Sequence, residues 1–138
     1  MTRTASILAS FLVLSACGPV NTGESFGGSE VLEPGECEGS PYERADSTAS
    51  VWADVDGSTI LVHLDDLTAN CCPSPDADIT LEDDLFTVDF FDVTDDDMCD
   101  CECIMDFTVA IDEVSVGTYD IDVFYYGTLL DELTVMVS

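Results

Sequence analysis

The chain has 138 residues, of which 46% are hydrophobic, and it carries thirty Asp and Glu residues against only two Lys and Arg residues. A formal net charge of −28 repels phosphate groups, so the composition excludes nucleic acid as a partner. Strong acidity often accompanies disorder, but this hydrophobic fraction indicates a folded domain with an acidic surface.

The amino terminus has the pattern of a lipoprotein signal peptide. Arg3 precedes an apolar run over residues 5–14 that is too short to span a bilayer. The run ends in Leu14-Ser15-Ala16-Cys17, which resembles the lipobox of bacterial lipoproteins. The resemblance implies cleavage before Cys17 and lipidation of that cysteine. The alternative is an ordinary secretory signal followed by a coincidental cysteine.

The residue after the lipobox bears on location. In lipoproteins of this kind an Asp at that place is the usual signal for retention in the inner membrane, whereas here Gly18 follows. The resemblance therefore implies an outer-membrane lipoprotein, held by its N-terminal lipid and facing the periplasm or the cell surface. Several acyl chains together make such an anchor effectively permanent.

Composition divides the chain into three parts. Residues 1–16 are the expected signal peptide, and residues 17–47 are rich in Gly, Ser, Pro, Glu and Thr with almost no apolar periodicity. This second part is expected to be a flexible tether with a reach of about 30 Å. Residues 48–138 are expected to form the folded domain.

The folded part shows hydrophobic alternation of period two. Gly57-Ser58 separates two alternating runs, which predicts a hairpin with Ile60, Val62 and Leu64 on one face. Further candidate strands cover residues 76–81, 85–93, 104–112, 119–125 and 133–137. Six or seven short strands predict an all-β fold, an antiparallel immunoglobulin-like β-sandwich. Gly117-Thr118-Tyr119 resembles the turn and tyrosine that precede a strand in immunoglobulin-like modules.

Six cysteines remain once Cys17 is set aside as the lipidated residue, an even number for an oxidising compartment. Disulfides are the expected state of these residues: Cys37, Cys71, Cys72, Cys99, Cys101 and Cys103. A thiolate site for zinc or copper(I) is one alternative, but Cys-x-Cys-x-Cys differs from the spacing of structural zinc sites. A redox-active dithiol is another, although the chain contains neither Cys-x-x-Cys nor lysine.

Chain geometry restricts the connectivity of these bridges. Adjacent residues have Cα atoms about 3.8 Å apart, below the usual separation of about 4.4–6.8 Å, so Cys71 and Cys72 are expected to bond to different partners. The alternate cysteines of residues 99–103 are likewise expected to bond outward. Two of them would take Cys71 and Cys72, which leaves the third for Cys37.

The cysteines also carry a resemblance. Asn70-Cys71-Cys72 and Cys99-Asp100-Cys101-Glu102-Cys103, the latter followed by a strand that contains Asp106, resemble elements shared by a group of small bacterial lipoproteins. The likeness spans residues 50–138. It implies membrane anchoring and this fold, and it implies no particular chemistry.

Asp95, Asp96 and Asp97 precede the cysteine triplet and are candidate calcium ligands, because calcium binds six to eight oxygen atoms. The alternative, favoured in so acidic a chain, is a solvated loop. Calcium is therefore a possible cofactor, and no other is expected.

The expected function is a non-enzymatic interaction or structural module. His63 is the only histidine and lysine is absent, so acid-base and nucleophilic sites are hard to assemble. Trp52 is predicted to face outward, where it would contact a protein or a glycan or else cap the second layer of the sandwich. A calcium-binding surface module is the alternative, and an extracytoplasmic enzyme is a distant third.

Overall fold

The computed structural model describes residues 26–38, 49–93 and 99–138, and within them it contains eight strands and no helix. The strands are β1 Gly28–Val31, β2 Ser50–Asp56, β3 Thr59–Asn70, β4 Pro75–Glu82, β5 Leu85–Asp92, β6 Glu102–Asp112, β7 Gly117–Tyr125 and β8 Thr128–Val137. They form two four-stranded sheets, one ordered β1-β6-β3-β2 and the other β4-β5-β7-β8. The predicted all-β sandwich is confirmed.

Two details of the topology differ from the prediction. Of the six strand pairings among the described residues, five are antiparallel, but β5 and β7 run parallel. The other difference is the strand count: Gly28–Val31 lies in the range expected to be tether, yet it pairs with β6. Its four residues show no alternation long enough to mark a strand, and pairing with β6 supplies the hydrogen bonds that hold it.

The core lies between the sheets and consists of the residues on the inward face of each alternating strand. Ile60, Val62 and Leu64 of β3 have no exposed surface, as the hairpin pattern predicts. Opposite them, β5 contributes Phe86 and Val88, which are also fully buried. No polar or charged residue is buried among the described residues. Burial of apolar surface on one face of each strand therefore stabilises the sandwich.

Tyr119 closes one corner of the sandwich. Its ring packs on Phe86, with centroids 5.3 Å apart, and its hydroxyl donates a hydrogen bond to the Ser115 carbonyl at 3.0 Å. A tyrosine that bonds to the backbone a few residues upstream at the start of a strand is the tyrosine corner of immunoglobulin-like sandwiches. Glycine at position 117 leaves room for the tyrosine ring, because a Cβ at this position would lie only 3.3 Å from it.

Candidate functional site

The hairpin of β2 and β3 places an aromatic pair on the outer face of the first sheet. Its turn is the two residues Gly57 and Ser58, with Gly57 at a φ of 61°, and the register that follows sets Trp52 opposite His63. The rings stack with centroids 3.8 Å apart and planes within 11°. Trp52 does not cap the second layer of the sandwich, since it stacks on a neighbour in its own sheet.

Trp52 is held in position and remains accessible. Its indole Nε1 donates a hydrogen bond to a carboxylate oxygen of Asp65, and 41% of the residue is still exposed. Because both the ring contact and the hydrogen bond orient the indole, a partner would meet a fixed aromatic surface.

His63 links this pair to the next strand. Its Nδ1 lies 3.0 Å from the hydroxyl oxygen of Thr108 on β6. Its Nε2 is buried without a hydrogen-bond partner and lies 4.0 Å from a carboxylate oxygen of Asp54. Contacts on both sides therefore fix the imidazole that supports the indole.

A β-bulge in β3 sets the position of Asp65. The pairing of β3 with β6 shifts between Leu64 and Leu67, so Asp65 and Asp66 form the bulge. Asp66 has a φ of 55°, and its backbone N–H donates to a carboxylate oxygen of Asp106 at 2.9 Å. Bulges bend a strand and re-aim its side chains. This one keeps Leu67 in the core and leaves Asp65 beside the indole.

We refer to Trp52, Asp54, His63, Asp65 and Thr108 as the Trp52 surface. An indole face attracts cations and also stacks on flat apolar groups, and the two carboxylates add negative charge beside it. A rigid aromatic ring flanked by carboxylates can bind a cationic group.

The cysteine cluster lies at the end of β3 and β6. Cys71 is bonded to Cys101 and Cys72 to Cys99, with Cα separations of 5.5 and 5.6 Å. The prediction that the adjacent cysteines bond to different members of the triplet is confirmed. The first bridge continues the β-ladder, because Asn70 pairs with Glu102 and the next pair along is Cys71 with Cys101.

Asn70 ties the two bridges together. Its side-chain amide donates to the Cys99 carbonyl at 2.7 Å, and its side-chain oxygen accepts from the backbone N–H groups of Cys72 and Cys99, at 2.9 and 3.2 Å. This geometry gives a structural reason for asparagine in the Asn-Cys-Cys element.

The cysteine cluster is not arranged as a metal site. Among the described residues, one set of three potential ligand atoms lies within 4.8 Å of one another, and it belongs to Cys71, Cys72 and Cys99. All three of these sulfurs are in disulfides. They have no thiolate to offer zinc or copper(I).

The remaining predicted site residues have different outcomes. Cys37 and Cys103 were expected to form disulfides, but in this structure both are free thiols, Cys37 exposed and Cys103 buried. The lipidation residue Cys17 and the calcium candidates Asp95, Asp96 and Asp97 lie outside the described residues. Their predicted roles stay predictions.

A scan of protein-family models and searches of curated proteins and of solved structures found no match to this chain. Within the described part of the chain, no helix is long and apolar enough to cross a membrane.

The sequence predicted an outward-facing Trp52, which is confirmed, but it missed the contacts of Trp52 with His63 and Asp65. Residues joined by a two-residue turn pair at fixed positions, so counting back from Gly57-Ser58 sets Trp52 opposite His63. The signal was therefore present in the spacing. Thr108 could not be found in this way, because its place beside His63 depends on the pairing of strands far apart in sequence.

Proposed function

We propose that this protein is an outer-membrane lipoprotein whose β-sandwich is a non-enzymatic binding module, with the Trp52 surface as its contact site. The lipobox-like Leu14-Ser15-Ala16-Cys17 and the following Gly18 support the anchor and the location. The observation that carries the binding role is the exposed Trp52, fixed between His63 and Asp65 on a rigid hairpin.

The partner class follows from charge. The chain has a formal net charge of −28; the Asp65 carboxylate on β3 accepts the indole hydrogen bond, and the Asp54 carboxylate on β2 lies 4.0 Å from the imidazole that stacks on the indole. Cationic side chains are attracted to an indole face and to carboxylates, and opposite charge also accelerates association. The expected partner is therefore a protein segment rich in Lys or Arg. With no lysine in the chain and the single histidine engaged in the stack, the role is binding and not catalysis.

The intrinsic fluorescence of Trp52 tests this binding role directly, because the chain contains no other tryptophan. Titration with a lysine-rich peptide should change the emission in a saturable way, and a neutral oligosaccharide should leave it unchanged. A response to the oligosaccharide instead would identify a glycan-binding surface and contradict the cationic partner.

Matched charge variants show whether peptide binding depends on the carboxylates of the Trp52 surface or only on the net charge of the protein. Asp54→Asn and Asp65→Asn each remove one carboxylate of the Trp52 surface, and Asp78→Asn removes one from β4 in the other sheet. The first two should each weaken peptide binding by roughly tenfold, as expected for an interaction of about 1.4 kcal/mol. An equal loss in Asp78→Asn would show that only net charge matters.

Anchoring is tested in cells of a double-membraned bacterium. Labelled palmitate should be incorporated into the wild type and not into Cys17→Ser. Gly18→Asp should move the labelled protein from the outer-membrane to the inner-membrane fraction. An unlabelled wild type would contradict the lipoprotein assignment without affecting the peptide titration.

A further inference from the structure

Residues 26–38 pack along β6, and we call this segment the strap. At one end the Phe26 ring contacts Phe86 of the core, with centroids 5.6 Å apart, and the Gly27 N–H donates to the Asp112 carbonyl at 2.8 Å. At the other end the Glu38 N–H donates to the Ile104 carbonyl at 2.8 Å. The strap is therefore attached at both ends and runs antiparallel to β6.

This attachment brings the two free cysteines together. Cys37 precedes Glu38 and Cys103 precedes Ile104, and the hydrogen bond from the Glu38 N–H to the Ile104 carbonyl holds these two stretches of backbone side by side. The two thiols are hydrogen-bonded to each other. Burial and then this hydrogen bond raise the pKa of the Cys103 thiol to about 11, so at neutral pH Cys103 is protonated. Cys37, by contrast, is exposed.

We infer that Cys37 and Cys103 are the site of a third disulfide, which latches the strap to β6 at the end of the strand nearest the other two bridges. The oxidant is a disulfide of another protein or of a small thiol. The exposed Cys37 thiolate attacks that disulfide, forms a mixed disulfide and expels one thiolate. Cys103 then loses its proton, and its sulfur attacks the Cys37 sulfur and expels the second thiolate, which takes up a proton. Two protons and two electrons leave the cysteine pair, and the oxidant is reduced to two thiols.

The disulfide between Cys37 and Cys103, which we call the latch, would shorten the expected tether of residues 17–47. With the strap attached, eight residues, 18–25, separate Cys17 from the strap, whereas about thirty separate Cys17 from β2 when the strap is detached. For a flexible chain the r.m.s. reach scales with the square root of the length, so thirty residues would reach about 30 Å and eight residues about 16 Å. The closed latch would hold the sandwich near the membrane, a consequence that rests on the proposed lipid anchor.

The bridge itself can be tested on purified full-length chain, independently of lipidation and export. The chain, carrying Cys17→Ser so that six cysteines remain, is incubated with oxidised glutathione, unfolded and alkylated without reduction. Cleavage after glutamate releases Cys37, which Glu36 and Glu38 flank, and separates Cys103 from Cys101 at Glu102. A peptide pair that joins Cys37 to Cys103 is expected. Alkylation of both residues, with no such pair, would overturn the inference.

Cysteine variants test whether the bridge between Cys37 and Cys103 holds the strap on β6. Cys37→Ser, at an exposed position, should leave one alkylatable thiol, on Cys103. It should also accelerate amide hydrogen exchange at Gly35 and Glu38, which donate to β6 carbonyls, by about tenfold, because the strap can then open locally. Unchanged exchange at both amides would show that the bridge does not latch the strap. Asp100→Asn, in the same region without a thiol, is the matched control and should leave both readouts as in the wild type.

Discussion

The Asn70 side chain makes three hydrogen bonds to the backbone around it. One side chain satisfies two backbone N–H groups and one carbonyl in the turn that carries both disulfides. Its replacement leaves those groups without their partner at the point where two bridges constrain the backbone. The Asn-Cys-Cys element is thus a single structural unit.

Asn70→Ala should reduce the free energy of unfolding by about 1–3 kcal/mol, because it removes all three hydrogen bonds. Asn70→Asp keeps the side-chain oxygen that accepts from Cys72 and Cys99 and loses the amide donor, so its loss should be smaller. Urea denaturation under non-reducing conditions measures both. Equal stability of the alanine variant and the wild type would contradict the role assigned to Asn70.

The tyrosine corner supports a second prediction at the scale of single residues. Tyr119→Phe removes one hydrogen bond and should cost about 1 kcal/mol. Gly117→Ala adds a methyl group 3.3 Å from the ring and should cost about 1–3 kcal/mol through overpacking. Thermal melts provide the measurement. In the double variant the two losses should not add, because both act on one ring, and full additivity would argue against the contact.

The pairing of β3 with β6 is the element that joins the two candidate sites. The Trp52 surface includes residues of both strands near their middle, and the disulfides connect the end of the same pair. Between them, the bulge at Asp65 and Asp66 shifts the alternation so that Leu67 and Ala69 face the core. The pairing of β3 with β6 therefore positions residues of the Trp52 surface and also brings the disulfide-bonded cysteines together.

The two bridges should stabilise the domain redundantly. They connect residues 30 and 27 positions apart and close nearly the same loop. A loop of about 30 residues corresponds to roughly 3–4 kcal/mol in the chain-entropy model. Removing either bridge with a pair of serine substitutions should cost only about 1–2 kcal/mol, and removing both should cost more than the sum. Urea denaturation of the three variants tests this, and simple additivity would show that each bridge acts independently.

At the scale of the whole molecule, acidic residues cover the outer faces of the sheets and in places face each other. In the β4-β5-β7-β8 sheet, Asp122 lies opposite Glu132, and Asp78 lies opposite Asp89. Like charges directly opposite each other on paired strands destabilise a sheet. The fold therefore depends on its core and its bridges to offset repulsion at the surface.

Screening this repulsion should stabilise the protein. An increase in NaCl from about 0.05 M to about 0.5 M shortens the Debye length to a few ångströms and should raise the melting temperature by about 4–8 °C, equivalent to about 1 kcal/mol. Glu132→Gln should reproduce part of this gain, and Glu82→Gln, opposite the uncharged Leu85, should give less. A melting temperature independent of salt would show that surface repulsion is not a major term.

Calcium can be compared with sodium in the same experiment. At equal ionic strength, screening alone predicts similar melting temperatures for the two salts. A ligand that binds the folded state at a hundred times its dissociation constant adds about 2.7 kcal/mol. An additional rise of that size in calcium, abolished when Asp95, Asp96 and Asp97 are replaced by Asn, would establish the alternative function.

Local chemistry in the sequence determined the strands and their nearest partners. Alternation of period two marked the buried faces of β3, β5, β6 and β7, because each residue along a strand points to the opposite face from its neighbours. The spacing of Gly57 and Ser58 implied the register of the first hairpin. The short separation of adjacent Cα atoms excluded a bond between Cys71 and Cys72.

Only the tertiary structure decided what depends on distant segments. The parallel pairing of β5 with β7, the attachment of β1 to β6 and the place of Thr108 beside His63 all join strands far apart in sequence. The assignment of Cys101 and Cys99 to their partners is of the same kind, because the register of β3 on β6 sets which cysteines come within bonding distance. Such pairings follow from how the two sheets bury their apolar faces together, which no local pattern encodes.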